Sequence, residues 1–272
     1  MKNLDVNLKK KRVYTAISLD DNSILIGTVE GGIYYVDKMG KVLLQFNRQN
    51  GLINNTVLAL FQDEEGNIWT GLDNGISVIN LDSPITMFQD IYGNLGSVYT
   101  SYYNGGYFYL GTNQGLFYKK DKEVKFNFIE GTNGQVWSLQ EIGGTLFCGH
   151  NTGTFIVEES NARRIFDQSG TWVVKEYKED TNYLLQGHYN GISLLKKDKK
   201  GYAFIGYLND FPHSSKFIVS EPGGEIWVGN EHKGVFKLTI NESDHSTSSK
   251  KNYTFEGTPG ITSSIFKFND TL

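Results

Sequence analysis

Short apolar runs, each stopped by a single Gly, recur along this chain at a nearly constant interval. They are Ile24-Leu25-Ile26-Gly27, Ile68-Trp69-Thr70-Gly71, Phe108-Tyr109-Leu110-Gly111, Leu146-Phe147-Cys148-Gly149, Leu184-Leu185-Gln186-Gly187 and Ile226-Trp227-Val228-Gly229. A few polar residues, a second Gly and another apolar run follow each one. The first glycines lie 44, 40, 38, 38 and 42 positions apart. Apolar runs this short, bounded by turn residues, read as strands. A period near 40 built from strands is the signature of a β-propeller. The expected fold is therefore all-β, a β-propeller of four-stranded blades, with six full blades and a truncated seventh.

The second repeat shows the layout of a blade. Residues 56–62 read as strand a and Asp63-Glu64-Glu65-Gly66 as a hairpin turn. Residues 67–71 read as strand b, 75–80 as strand c and 85–89 as a short strand d. Strand a recurs near 13–18, 96–102, 135–141, 171–177 and 215–220. Strand c recurs at 32–37, 115–119, 153–158, 191–196 and 234–239, opened each time by a Gly. That position calls for φ > 0 or a close backbone approach, which Gly alone meets without cost. The blades are placed at about 12–46, 56–89, 96–128, 134–166, 171–205 and 214–255, with a partial one at 261–272, all in a single domain 1–272. Residues 261–268 read as a seventh strand a and 270–272 as the start of its strand b. An unpaired strand edge invites association, so a fragment of a longer protein is expected. Residues 4–8 alternate apolar and polar and are expected to supply an outer strand.

Composition narrows the class. Aromatic residues make up 14% of the chain, and 31 Gly stand against 4 Pro, which suits aromatic-rich strands joined by Gly turns. The net charge of −4, with both signs interspersed, argues against a nucleic-acid surface. The basic run Lys9-Lys10-Lys11-Arg12 reads as a solvated strand edge. Cys148 is the single cysteine, which excludes an intrachain disulfide and a cysteine-based zinc site, and its apolar strand suggests a buried thiol. No apolar run approaches the length of a membrane helix. The first seven residues lack the apolar core of a secretion signal.

Some segments go beyond the generic pattern. The stretch Gly51-Leu52-Ile53-Asn54-Asn55-Thr56-Val57, then Gln62-Asp63-Glu64-Glu65-Gly66-Asn67-Ile68-Trp69-Thr70-Gly71 and Asn74-Gly75-Ile76, resembles the two-component-regulator propeller repeat. That repeat builds the sensor regions of Bacteroidetes-type hybrid two-component regulators. The stretch from Pro212 through Gly224-Glu225-Ile226-Trp227-Val228-Gly229 to Leu238 is similar to a late blade of the triple-tyrosine-motif, LuxR-type regulators. The resemblance implies a non-catalytic sensor module, periplasmic or otherwise extracytoplasmic. In the parent protein it would be followed by an Ig-like domain and an output domain. It brings no catalytic residues and no cofactor, because the repeat motif is structural.

Strand order sorts the candidate chemistry. With strands a to d running outward, the b–c and d–a loops share one face of the disc. His150 and His188 follow the anchor Gly directly, His232 lies in a b–c loop and His213 in a d–a loop. These four histidines are expected on one face in blades 4 to 6, while His245 lies in a surface insert. With Asn151, Tyr189, Asn190 and Glu231 they make a candidate polar site for a glycan or other small ligand. Equally, they are turn residues aligned by the repeat. No HxH or HExxH spacing supports a metal site. Trp69 and Trp227 read as inter-blade core. Trp137, Trp172 and Tyr99 lie on strands a, as core or as a channel-facing platform. No phosphate loop and no GxSxG elbow occurs. A protein-binding scaffold of a cell-surface or secretion assembly is the main alternative function. A propeller lyase or hydrolase using His and Glu is a further one.

Overall fold

The structure is a computed structural model that describes residues 8–85, 87–90, 93–121, 123, 125–178, 180–199, 201–241, 244, 246–253 and 264–267. The chain divides into two compact units, Met1–Asn94 and Leu95–Leu272.

The first unit holds two antiparallel sheets. One is β1 (Val13–Ser18), β2 (Ile24–Thr28), β3 (Ile33–Val36) and β4 (Val42–Phe46), in that order. The other has three strands, β5 (Val57–Gln62), β6 (Ile68–Leu72) and β7 (Gly75–Ile79). Leu25, Ile33, Val57 and Ile68 are fully buried between them, backed by Leu52 and Leu72. Burying each such side chain contributes about 1.5–3 kcal/mol.

Three expectations change here. No strand forms at 85–89 among the described residues. Pro84 offers no amide to a ladder, and Gln89 N instead donates to Gln49 O at 2.6 Å, on a 3₁₀ turn at Arg48–Asn50. The basic run 9–11 lies in a helical turn, not a strand edge, and Arg12 follows at φ 54°, paired with Glu30 at 2.6 Å. Trp69 is not core. It lies on the strand face opposite Ile68 and Leu72, 45% exposed, in a cross-strand row with Phe61 and Val78. Its indole N–H donates to Asp63 Oδ2 at 2.8 Å.

The second unit holds four four-stranded antiparallel meanders. Blade 3 is β8 (Val98–Asn104), β9 (Tyr107–Thr112), β10 (Leu116–Lys120) and β11 (Asn127–Phe128). Blade 4 is β12 (Val136–Ile142), β13 (Thr145–His150), β14 (Gly153–Glu158) and β15 (Asn161–Phe166). Blade 5 is β16 (Thr171–Glu176), β17 (Tyr183–His188), β18 (Gly191–Asp198) and β19 (Gly201–Tyr207). Blade 6 is β20 (Phe217–Ser220), β21 (Glu225–Asn230), β22 (Gly234–Ile240) and β23 (Thr247–Tyr253).

Successive blades share their cores. Leu116 of blade 3 clusters with Val136, Cys148 and Phe155 of blade 4. Phe147 and Ile156 pack against Val174, Leu184 and Leu195 of blade 5. Leu185 and Ile192 pack against Ile218, Ile226 and Val228 of blade 6. Middle strands are thus covered on both faces and read as continuous apolar runs. Cys148 has no exposed surface, and burial pushes its thiol pKa up to about 12. Trp227 is half-buried, 5.4 Å from the Tyr253 ring, with Lys237 Nζ 5.3 Å above its own.

The recurring glycines mark where one blade meets the next. A Cβ on Gly111 would overlap Val136 Cγ1, one on Gly149 would lie 2.8 Å from Thr171 O, and one on Gly187 would overlap Ser215 O. In the first unit a Cβ on Gly27 would lie 2.7 Å from Val57 Cγ1. The glycines that open strand c, at positions 32, 75, 115, 153, 191 and 234, all have φ between 76° and 149°. Of the seventh repeat only 264–267 is described. That stretch is not a strand, yet Ile265 lies beside Gly229 and Lys267 pairs with Glu221 at 2.8 Å. The expected strands at 261–268 and 270–272 otherwise lie outside the described residues, as do residues 4–7 of the expected N-terminal strand.

Gly187→Ala is expected to cost about 3 kcal/mol or more, because a backbone carbonyl cannot step aside. Gly206→Ala meets nothing within 4 Å and is expected to change stability by less than about 0.5 kcal/mol. Chemical denaturation of the two variants checks the contrast.

Candidate functional site

In each of five blades, strand a carries one unpaired residue beside its anchor Gly. The register shifts between Val13 and Thr15, Val57 and Ala59, Val98 and Thr100, Val136 and Ser138, and Thr171 and Val173. A bulge of this kind bends the strand and re-aims the extra side chain. The bulged residues are Tyr14, Leu58, Tyr99, Trp137 and Trp172. In blade 6, Phe217 pairs with Gly229, and Lys216 precedes it at the same place.

In the second unit these side chains meet in order. The Tyr99 and Trp137 rings are 5.1 Å apart, and those of Trp137 and Trp172 are 4.7 Å apart. Lys216 Nζ sits 5.1 Å above Trp172 and pairs with Glu231 Oε1 at 2.5 Å. Tyr189, from the turn after β17, closes over the row with its ring 4.8 Å from Trp172. Its hydroxyl oxygen accepts the Trp137 indole N–H at 2.7 Å, and Ser214 Oγ accepts that of Trp172 at 3.0 Å. Both indole N–H groups are thereby satisfied internally, which fixes the ring planes. Tyr99 and Tyr189 remain 46% and 37% exposed. The result is an aromatic ladder crossing blades 3 to 5 and ending on a Lys–Glu pair.

The structure thus brings Tyr99, Trp137, Tyr189 and Glu231 together and sends the other candidates elsewhere. His150 has no exposed surface. Its Nδ1 accepts the Thr152 backbone N–H at 3.0 Å, so Nε2 carries the proton and donates to Thr132 O at 3.2 Å. Burial, helped by the Arg164 charge, holds its pKa below the ordinary value. Asn151 Oδ1 accepts Gln135 N at 3.1 Å and holds the d–a loop. Asn190 is exposed in the β17–β18 turn. His213 stacks on Phe236 with ring centroids 5.3 Å apart, and Lys233 Nζ donates to its Nδ1 at 3.3 Å. Its pKa is lowered by burial and by Lys233 and Lys250. His232 is exposed and uses its backbone N–H on Asn230 Oδ1 at 2.9 Å. His245 lies outside the described residues. Among the described residues no cluster of three or more His, Cys, Asp or Glu is placed to hold a metal.

His188 belongs to a closed circuit of fully buried polar groups. Thr154 Oγ1 lies 2.6 Å from Gln186 Oε1 and 2.8 Å from Thr171 Oγ1. Gln186 Nε2 reaches Ser193 Oγ at 2.9 Å, Ser193 Oγ reaches His188 Nε2 at 2.5 Å, and His188 Nδ1 reaches Thr171 Oγ1 at 3.4 Å. With the Gln186 amide oxygen turned to Thr154, one proton arrangement satisfies every member. Thr154 donates to the Gln186 carbonyl, Gln186 to Ser193, Ser193 to Nε2, Nδ1–H to Thr171, and Thr171 to Thr154. The ring is therefore neutral with its proton on Nδ1. A second proton would oppose the Ser193 hydroxyl. Burial pushes the His188 pKa down to about 4.

Sequence reasoning missed Lys216 and Ser214 as site residues and left Trp172 ambiguous. Counting back from each anchor Gly finds Tyr99 and Trp137, but the longer hairpin of blade 5 hides Trp172 from that count.

A histidine held neutral in the fold binds its proton only in the unfolded chain. Stability is therefore expected to fall as pH drops from about 6.5 to about 4, by about 3 kcal/mol from His188. Denaturant midpoints measured across that range check this, and His188→Gln should flatten the slope.

Residues 51–74 match the family described as the two component regulator propeller, the loop, strand a, turn and strand b of blade 2. No curated protein matches the chain. The chain is similar to the extracellular domain of BT3049 from B. thetaiotaomicron, assigned to a hybrid two component system. The TM-score is 0.60 at 19% identity, over 88% of this chain and 34% of that one. This chain thus spans about a third of that structure. It is also similar to the extracellular domain of BT4673 from B. thetaiotaomicron, with TM-score 0.48 and 17% identity over 88% and 37% of the two chains. The WD40 β-propeller domain of Doa1 gives 0.45 and 14% over 89% and 82%. The chain is a β-propeller that resembles the sensor propellers of two-component regulators and carries their repeat in its second blade.

Proposed function

We propose that this chain is a non-catalytic, ligand-binding propeller of an extracytoplasmic signal sensor, and that it takes a glycan or similar small ligand on the aromatic ladder. The observation that carries this reading is the row Tyr99, Trp137 and Trp172 with Tyr189 over it. Bulged strands place flat faces there at 4.7–5.1 Å intervals, beside a Lys–Glu pair. Sugar rings present apolar C–H faces edged by hydroxyls, and such ligands suit aromatic walls with a few polar groups at the margin. The Tyr99 and Tyr189 hydroxyl protons have no partner among the described residues and are free to meet such hydroxyls.

The extracytoplasmic setting rests on the likeness to the extracellular domain of BT3049. In a parent protein the module would act through downstream Ig-like and output domains. The ladder spans three blades, so a bound ligand would tie them together, giving a bound state that differs mechanically from the free one. Turnover has no support in the geometry, since the buried histidines are engaged internally.

Isothermal titration against a panel of neutral oligosaccharides tests the proposal. Tyr99→Ala removes an exposed ring with little effect on folding and is expected to weaken binding about tenfold, or 1.4 kcal/mol. Silence across the panel, or affinity unchanged in Tyr99→Ala, would overturn it.

A further inference from the structure

The strands a of blades 4 to 6 and residues 264–267 line an open cavity of about 700 Å³. Its walls are unusually basic for a chain of net charge −4: Lys175, Lys178, Lys216 and Lys267 line it against Glu141 and Glu176. Nearly all of this charge is already used. Lys178 pairs with Glu176 at 3.2 Å, Lys216 with Glu231 at 2.5 Å and Lys267 with Glu221 at 2.8 Å. Glu141 accepts the Tyr102 hydroxyl and, at 3.0 Å, the Asn104 amide. Lys175 is the exception and has no partner among the described residues.

Its position is also unusual within the repeat. Lys175 pairs with Leu185 across β16 and β17, two residues after the partner of the anchor Gly. The same register position holds Ile17, Phe61, Tyr102, Gln140 and Val219 in the other blades. A repeat that elsewhere uses neutral side chains has a lysine here. Val173, on the same strand face, packs with Tyr177 into the apolar cluster shared with blade 6. Lys175 is half-buried, and this burial alone lowers its pKa. Gln140, at the equivalent place one blade earlier, also lines the cavity and has no partner among the described residues. Two donors without a protein partner among the described residues thus lie at matching positions on neighbouring strands and line one solvent-reached space. A partly desolvated polar group without a partner destabilises the fold unless something else meets it.

We infer that this cavity binds a small organic carboxylate, with Lys175 and Gln140 as its donors. Lys175 is the one lining lysine with no carboxylate paired to it, Glu141 being held by neutral donors, and the Val173 and Ile218 walls suit an apolar body. A phosphate dianion would call for an Arg or a nest of backbone amides, and the lining has no arginine. Lys216 borders both places, but the two donors Lys175 and Gln140 belong to this one alone, so it stands or falls without the ladder.

The test uses acetate as probe. NMR of ¹³C-methylated lysines, with the Lys175 signal assigned by its loss in Lys175→Gln, follows the titration of that group in excess acetate. Acetamide at matched ionic strength is the reference. Acetate is expected to raise the Lys175 pKa by about one unit, a tenfold preference for the protonated form, and to leave the three paired lysines unmoved. Lys175→Met keeps the aliphatic stem, and it should raise the thermal midpoint and abolish any acetate-dependent gain. No acetate shift at Lys175, an equal shift from chloride, or an acetate gain surviving in Lys175→Met would overturn the inference.

Discussion

Within each unit the packing depends on how closely one blade can lie against the next, and the limit is set at the end of strand b in blades 1, 3, 4 and 5. There the backbone comes within van der Waals distance of the following blade, against Val57, Val136, Thr171 and Ser215 in turn. A methyl group at any of these places would push the neighbour away. Once the approach is made, leucines, isoleucines and phenylalanines of adjoining blades interlock and water is excluded from both sides of the middle strands. The glycine contributes no attraction of its own. It permits an apolar contact too large for any single blade to make.

That same exclusion of water explains the buried polar circuit around His188. Thr154, Thr171, Gln186, His188 and Ser193 sit where the flanking positions are apolar, and each would be a liability alone. Joined head to tail they satisfy one another. In such a closed loop each member's orientation depends on its neighbours', so the loop ties Thr154 of blade 4 to blade 5 by directed contacts that apolar packing lacks. The histidines follow anchor glycines because those places lie deep, between sheets. The depth that makes them conspicuous in the repeat removes them from solvent.

Strand positions and the fold class were legible because the chain repeats itself. Six glycine-terminated runs gave six sheets, and the strand-c glycines all adopt positive φ, as their spacing implied. The expected strand at 85–89 rested on the apolar residues Ile85, Met87 and Phe88, while Pro84 before them offers no amide to a ladder. Trp69 was misread because strand periodicity tells that two faces exist and not which of them is covered. The candidate site was half visible. Tyr99 and Trp137 share a spacing from their glycines, and Tyr189 sits at a turn where polar aromatics stand out. The histidine group drew more attention than the geometry gives it, since loop position predicts which end of a blade a residue occupies and not how deep it lies. Trp172 and Lys216 needed the actual pairing, because extra residues in the blade 5 hairpin and in the blade 6 hairpin each break the count.

The bulge on strand a has a consequence for how such a chain can change over time. Its extra residue takes no part in the register, so replacing it disturbs neither the ladder of backbone bonds nor the glycine contact beside it. Tyr14, Leu58, Tyr99, Trp137 and Trp172, with Lys216 at the same place in blade 6, already show four different residue types at one structural address. Scaffold and recognition surface are thereby written in separate letters of the same repeat. A lineage carrying this fold can retune what it recognises by drift at one position per blade while the architecture stays under independent selection.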